Sequence, residues 1–317
     1  MKLSYIIVAG GYEHSNSSPD GSAATPSVEA FTGELAKKQL PDLPEDFICC
    51  SVFMHNGTIL CQGFWKTGEY TCFQLDIGTW KDSGNLNVSP RCASTVTTKT
   101  ATFAFGGEVF CQNTYEYLPI GSNSWLLGKT EIPGGYSDGC AIAVKSEQEI
   151  WLIGGSGTEK RILSFDVNNH TFKELPFQLN VERRGHRAAL IPNSIKIMIT
   201  GGFNDNDNRL KYTEVLYPET GSVIMASPMN IDRCSHGMGV ITTNDEERLA
   251  VFGGYSYTLK LLDSVELYNT QTESWDITNI KLSNPMFEFS FFNLKLGEIT
   301  SQPKNSKKII SMGLIQS

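Results

Sequence analysis

The feature that most constrains the fold of this chain is a short apolar run that ends in glycine and recurs six times. A glycine pair ends five copies, and the single Gly63 ends the other. The second glycines fall near positions 11, 63, 107, 155, 202 and 254, so the copies are 44 to 52 residues apart. The glycines are Gly10, Gly11, Gly63, Gly106, Gly107, Gly154, Gly155, Gly201, Gly202, Gly253 and Gly254. Because glycine permits sharp turns and close approach of two backbones, we predict a structural role for all of them.

Each copy reads as a group of short antiparallel strands. The apolar runs are rich in Val, Ile, Phe and Thr, and turn residues such as Asn56-Gly57 separate them. No stretch shows a helical apolar period, and a repeat near 50 residues is typical of a β-propeller blade rather than a helical solenoid. Bulky aromatic residues follow a variable loop in most copies, and we expect them to pack between neighbouring blades. The aromatic residues predicted to be structural are Trp80, Trp125, Tyr268 and Trp275.

This combination of a double glycine, a Tyr or Phe and a bulky residue about seven positions later resembles the kelch repeat. The resemblance covers about residues 3–294. It implies an all-β fold, a six-bladed β-propeller in which each blade is a four-stranded antiparallel sheet. We therefore expect a single domain over residues 1–296, followed by a disordered tail over 297–317.

The way the ring would close can be predicted from the two ends of the chain. The chain begins inside a repeat, with the glycine-ending strand over residues 3–10, and lacks the strand that should precede it. The apolar run at 286–294 lies where a first strand is expected, and no glycine pair follows it. We expect this run to pair with the N-terminal strand, because a blade shared by both termini leaves no open edge.

Three arginines precede predicted innermost strands, namely Arg91, Arg183 and Arg233. In kelch adaptors of ubiquitin ligases, arginines at matching positions bind acidic peptides, so the resemblance implies a partner site here. Guanidinium groups bind carboxylates in bidentate geometry. The alternative is that these arginines pair with neighbouring acids such as Asp232 or Glu182 and only tie loops together.

Further candidate contacts lie near the same positions. His186 and His236 each follow an arginine by three residues, which suggests either a metal pair or two structural histidines; His236 is also a predicted partner contact. Tyr12, Phe203 and Tyr255 directly follow glycine pairs and begin loops, two of them long, so they are predicted partner contacts as well. Asp205 and Asp207 in the second long loop do not suffice for a calcium site.

The eight cysteines form no CxxC pair, so zinc and thioredoxin-like chemistry lack support. A symmetric hairpin would put Cys61 opposite Cys72, which would allow a disulfide if that register holds; we favour the alternative, buried reduced thiols. With sequons at Asn56 and Asn169, a disulfide would indicate an extracellular protein. We favour a cytoplasmic location, because the apolar run near the N-terminus is short for a signal peptide and is needed as a strand.

Composition narrows the class of function. The net charge of −8 argues against nucleic-acid binding, and no apolar run is long enough to span a membrane. There is no GxSxG, HExxH or phosphate-binding loop. We therefore predict a monomeric, cofactor-free protein-interaction scaffold or adaptor whose unknown partner offers an acidic peptide. The alternative is an enzyme acting on a sugar-like molecule, similar to sialate mutarotase or galactose oxidase, with Arg183 or Arg233 and His236 at the channel mouth.

Overall fold

The chain forms an all-β structure built from repeated four-stranded antiparallel sheets. The structure is a computed structural model, and it describes residues 4–14, 22–32, 37–65, 70–76, 78–88, 91–108, 111–243, 246–288 and 290–295. The tail predicted over 297–317 lies outside the described residues. Among the described residues, the one helical segment is a 3-10 turn at Lys145–Glu147, and no helix has the length and apolar character needed to cross a membrane.

Within the described residues, six four-stranded sheets follow one another in sequence order. Sheet 1 contains β29 (Ser290–Lys295), β1 (Ser4–Ala9), β4 (Val28–Thr32) and β5 (Lys37–Gln39). Sheet 2 contains β6 (Phe47–His55), β7 (Thr58–Trp65), β8 (Tyr70–Asp76) and β9 (Thr79–Asp82). Sheet 3 contains β10 (Ser94–Thr97), β11 (Ala101–Phe105), β12 (Tyr115–Pro119) and β13 (Leu126–Leu127).

The second half of the chain repeats the arrangement. Sheet 4 contains β14 (Cys140–Val144), β15 (Glu149–Ile153), β16 (Ile162–Asp166) and β17 (Thr171–Glu174). Sheet 5 contains β18 (Arg187–Leu190), β19 (Ile197–Thr200), β20 (Thr213–Tyr217) and β21 (Ser222–Ala226). Sheet 6 contains β22 (Gly237–Thr243), β23 (Glu246–Phe252), β26 (Ser264–Asn269) and β27 (Ser274–Lys281).

Two small sheets lie in the connecting loops. One contains β28 (Met286–Phe287), β2 (Tyr12–His14) and β3 (Ser22–Ala24). The other is the pair β24 (Tyr255–Ser256) and β25 (Lys260–Leu261).

The two ends of the chain meet in sheet 1. Strand β29 pairs with β1 in antiparallel register, from Ser4 opposite Lys295 to Ala9 opposite Ser290. The apolar run over 286–294 predicted one strand. The structure divides that run in two, because β28 pairs with β2 before β29 joins β1. The first strands also contact one another in the order β6, β10, β14, β18, β22 and β29, and β29 contacts β6.

The core lies between the faces of successive sheets. Phe103 of sheet 3 packs with Leu152 and Phe165 of sheet 4, and Val8 of sheet 1 packs with Ala250 of sheet 6. Second strands such as β11 are buried along their whole length, whereas outer strands such as β17 are mostly exposed. Burial on both faces explains why the second strands read as continuous apolar runs rather than as alternating ones.

Candidate functional site

Six residues at the start of the first strands adopt a left-handed backbone conformation, and we call them the junction residues. Five of them precede their strand by two residues, whereas Cys49 lies inside β6, where the register shifts between Ile48 and Ser51. The six φ angles lie between 48° and 61°. Four backbone hydrogen bonds join them in succession, from Asp138 N to Cys92 O through to Glu288 N to Ser235 O, at 2.7–3.2 Å. The junction residues are Cys49, Cys92, Asp138, Gly185, Ser235 and Glu288. Because this conformation is costly for residues other than glycine, the surrounding fold must hold it in place.

Five junction side chains line one cavity of about 210 Å³, all except that of Gly185. Residues of the adjacent first strands complete its wall, among them Ser94, Cys140 and Arg187. Thiols, hydroxyls, two carboxyl groups and one guanidinium therefore face a common space. A concave site with convergent polar groups is the usual setting for ligand binding.

The two carboxyl groups of this cavity have raised pKa values. Burial raises the pKa of Asp138 to about 7, although the positive charge of Arg187 opposes the shift. Burial also raises the pKa of Glu288, while a hydrogen bond from Cys49 opposes that shift. Burial disfavours a charged carboxylate because it removes water from around it. The Asp138 carboxyl group can thus carry or release a proton near neutral pH.

Two thiols meet at the edge of the cavity. Cys92 Sγ lies 3.1 Å from Cys49 Sγ, and Cys49 Sγ donates to Glu288 Oε2 at 3.2 Å. The hydrogen bond with Cys92 and burial raise the pKa of the Cys49 thiol. Cys49 is buried, whereas Cys92 is partly exposed.

The arginines Arg183 and Arg233 do not face the cavity, so their predicted role as partner contacts is wrong. Both side chains are 0 % exposed. Arg183 Nη2 lies 2.7 Å from Glu214 Oε1, and Arg233 Nη2 lies 2.7 Å from Glu266 Oε1. Burial lowers the pKa of each arginine, and the paired glutamate opposes that shift. Each guanidinium turns back into its own sheet, where it compensates a buried carboxylate.

Arg91 occupies a different position in the repeat from the other two arginines. In four repeats the residue before the junction residue accepts a hydrogen bond from the residue after a glycine pair, as Arg91 O does from Glu108 N and Arg184 O does from Phe203 N. Arg91 is therefore equivalent to Arg184 and lies one residue later than Arg183. Its side chain is 37 % exposed, and its Nε lies 3.4 Å from Glu108 Oε2.

The histidine predicted to contact a partner is also buried. His236 is 0 % exposed, and its Nε2 lies 2.8 Å from Thr200 Oγ1. Burial and the charge of Arg233 lower the pKa of His236, so the ring is neutral. His186 is equally buried. Among the described residues, no group of three or more His, Cys, Asp and Glu side chains could hold a metal ion.

The three aromatic residues predicted as partner contacts do lie along one surface. Tyr12 stacks on Phe287 at 5.1 Å between ring centroids, and Phe287 lies 5.8 Å from Tyr255. The guanidinium of Arg209 lies 5.3 Å from the ring of Tyr255 and 5.2 Å from that of Phe203.

Arg184 extends this row, since its guanidinium lies 4.8 Å from the ring of Phe203. All members are partly exposed. We call this row the aromatic–arginine strip, and it consists of Tyr12, Phe287, Tyr255, Arg209, Phe203 and Arg184. Arg184 and Phe287 directly precede Gly185 and Glu288, which places the strip beside the cavity on one face of the protein.

The glycine pairs lie where two sheets approach closely. Gly201 and Gly202 have φ angles of 61° and 93°, and Gly202 N donates to Arg233 O of the next sheet at 2.9 Å. A Cβ on Gly201 would lie 2.8 Å from the ring of His236, so a side chain has no room. The same position is occupied by Gly10–Gly11, Gly106–Gly107, Gly154–Gly155 and Gly253–Gly254, all with positive φ. Gly63 instead lies inside β7, opposite Thr71.

The aromatic residues predicted to be structural lie on outer hairpins. Tyr268 pairs with Trp275 across β26 and β27, and their rings are 5.2 Å apart. Trp125 is buried against Phe53 of sheet 2. Trp80 is partly exposed, and its Nε1 donates to Pro41 O at 2.8 Å.

Cys61 and Cys72 are buried free thiols, as favoured from the sequence, and the alternative disulfide between them does not form. Cys61 pairs with Phe73 and Cys72 with Gln62, so the two thiols are one register step apart. One step in a strand reverses the side-chain direction. Cys61 accordingly packs toward sheet 1 and Cys72 toward sheet 3. The observed strand pairing is shifted by one residue from the symmetric hairpin that the sequence suggested.

The buried glutamates and the asparagines that bind them were not predicted from the sequence. Asn180 and Asn230 each donate through the backbone and the side chain to Glu214 and Glu266. Asn87 does the same for Glu116. The spacing from these asparagines could have distinguished the arginines. Arg183 and Arg233 follow their asparagine by three residues, but Arg91 follows Asn87 by four.

Comparison with known proteins adds no assignment. The chain matches no model of a known protein family. It also matches no curated protein.

Proposed function

We propose that the chain is a six-bladed β-propeller of the kelch type that acts as a non-catalytic protein-interaction module. The cyclic order of contacts between first strands, from β6 round to β29 and back to β6, supports a closed ring of six blades. The pairing of β29 with β1 supports closure within sheet 1. The repeated glycine pairs with positive φ support the kelch assignment.

The observation that carries the binding role is the aromatic–arginine strip. Its rings and guanidinium groups stack in one row and stay partly exposed. Tyr, Phe and Arg are favoured in binding hot spots, because they offer large contact areas together with charged hydrogen-bond donors.

The chemistry of the strip favours an extended acidic segment that contains aromatic or proline residues. Within the described part of the chain, the Arg184 guanidinium forms no ion pair and lies over the ring of Phe203. Lys260 stands beside the rings of Tyr255 and Tyr257, and Tyr257 and Leu259 are 70 % and 57 % exposed. A carboxylate on the partner would meet Arg184 in bidentate geometry, and apolar groups would cover the rings.

A displayed peptide library tests this function directly. Selection on the full chain should enrich acidic segments with aromatic or proline residues. Phe203→Ala should weaken binding of a selected peptide by about thirtyfold, as expected for a hot-spot residue that contributes about 2 kcal/mol. Ile224→Ala, at an exposed site on the outer strand β21, is the matched control and should bind like the wild type. Absence of enrichment, or equal loss in both variants, would contradict the proposal.

The cavity favours a second candidate function, a site for a small polar molecule. The residues first expected to form a sugar-enzyme site, Arg183 or Arg233 with His236, are buried inside the sheets and cannot do so. Asp138, with its pKa raised to about 7, and Arg187 face the cavity instead. Ligand-detected NMR with a library of small polar compounds should then find binders that Asp138→Asn abolishes.

A further inference from the structure

Cys49 and Cys92 lie on neighbouring sheets, and the backbone brings their sulfur atoms together. Both are junction residues, with φ angles of 48° and 59°, which positions their side chains toward the cavity edge. The sulfur atoms are 3.1 Å apart. A disulfide bond is about 2.05 Å long, so closure needs a movement of about 1 Å, within the reach of small side-chain rotations.

The surroundings give the two thiols different roles. Cys92 is partly exposed at the cavity, where a small oxidant can reach it. Cys49 is buried and donates to Glu288 Oε2 at 3.2 Å. The Glu288 carboxylate is therefore placed to take the proton from Cys49 when its sulfur attacks. Cys140, the other thiol in the cavity wall, donates to His186 O instead.

We propose that Cys49 and Cys92 form a reversible disulfide that joins sheets 2 and 3 at the cavity, with a peroxide as the oxidant. The Cys92 sulfur first attacks one peroxide oxygen, the O–O bond breaks, and a sulfenic acid and one water form. The Cys49 sulfur then attacks Cys92, the S–O bond breaks, and a second water leaves. Two thiols and hydrogen peroxide thus give one disulfide and two waters, and a dithiol reductant reverses the bond.

Bond formation would also release Glu288 from its thiol partner. Glu288 follows Phe287, a member of the aromatic–arginine strip. Oxidation therefore alters the residue next to that surface, but the disulfide itself does not depend on the proposed binding role.

Disulfide mapping on the full chain tests the proposal. The reduced protein is treated with graded hydrogen peroxide, blocked with N-ethylmaleimide and digested with trypsin without reductant. Cleavage after Lys38, Lys66, Arg91 and Lys99 leaves Cys49 in peptide 39–66 and Cys92 in peptide 92–99. The expected product joins these two peptides and disappears after treatment with dithiothreitol.

Because peptide 39–66 also contains Cys50 and Cys61, the variants Cys50→Ser and Cys61→Ser locate the bond. The cross-link should persist in both and vanish in Cys49→Ser. Loss of the cross-link in Cys50→Ser would overturn the pairing. So would a wild-type Cys92 that stays fully labelled by N-ethylmaleimide while Cys140 or Cys234 is already oxidised.

The role of Glu288 has its own readout. Glu288→Gln should slow the second step, so that a sulfenic-acid probe labels Cys92 several-fold more than in the wild type. Glu174→Gln, which removes an exposed carboxylate on the outer strand β17, is the matched control, with labelling expected to stay at the wild-type level. Equal labelling in Glu288→Gln and the wild type would overturn the assignment of Glu288 as the proton acceptor.

Discussion

Arg233 in sheet 6 and Arg91 in sheet 3 both precede a first strand, but their guanidinium groups lie in opposite environments. Arg233 is 0 % exposed and pairs with Glu266 at 2.7 Å, and it also donates to Gly253 O. Arg91 is 37 % exposed and lies 3.4 Å from an equally accessible Glu108. Water screens the second pair and not the first. A shift of one residue in the repeat therefore separates a fully buried arginine from one whose side chain is more than a third exposed.

The largest expected effect is on the buried pair. Arg233→Met leaves the Glu266 carboxylate without its cation, so the free energy of unfolding should fall by about 3–5 kcal/mol. Urea unfolding followed by tryptophan fluorescence measures the change. Replacing Glu266 by Met as well should restore part of the loss, because no unpaired charge then remains buried. A loss below about 1 kcal/mol in the single variant would contradict a structural role for Arg233.

An intermediate effect is expected at Asp138, a cavity acid without an ion pair in the described part of the chain. Its pKa is raised from 3.8 to about 7, so the folded protein holds this proton more tightly than the unfolded chain. Its stabilising contribution is complete below roughly pH 4 and is lost as the pH rises through 7.

Asp138→Asn removes this titration and keeps a residue type that tolerates the φ of 52°. Between roughly pH 4 and pH 8, the wild type should lose on the order of 2 kcal/mol relative to the variant, after allowance for the partial exposure of Asp138. Urea unfolding of both proteins across this range measures the difference. Parallel stability curves would show that Asp138 is not the titrating group.

The smallest effect is expected at Arg91. Because its ion pair with Glu108 is exposed to water, Arg91→Met should change the free energy of unfolding by less than about 0.5 kcal/mol. The same urea experiment, run beside Arg233→Met, makes the comparison direct. Equal destabilisation of the two variants would mean that the one-residue shift does not separate their roles.

Much of the fold could be predicted, because the same backbone conformation recurs along the chain and requires the same residue type. The glycine pairs lie where two backbones approach closely, as Gly202 does to Arg233 O. Their recurrence therefore marks the repeats in the sequence. The pairing of the C-terminal strand with β1 could be predicted in the same way, since a first strand was missing at one end of the chain and present at the other.

The candidate site was harder to predict, because the junction residues share a backbone conformation and not a side-chain type. Cysteine, aspartate, glycine, serine and glutamate all occur there. Their common property, a positive φ, leaves no pattern in the sequence. The arginines were predicted wrongly for a related reason, because all three were assigned to the same position before a first strand. Their spacing from the preceding asparagine distinguishes Arg91 from Arg183 and Arg233.

The most direct test of the proposed binding role is the affinity of a selected acidic peptide for two charge-reversal variants. Arg184→Glu changes the strip, and Lys81→Glu changes an exposed lysine on the outer strand β9. Fluorescence anisotropy with the labelled peptide gives both dissociation constants. We predict that Arg184→Glu weakens binding at least tenfold, while Lys81→Glu stays within about twofold of the wild type. Equal affinities for the wild type and Arg184→Glu would contradict a binding role for the aromatic–arginine strip.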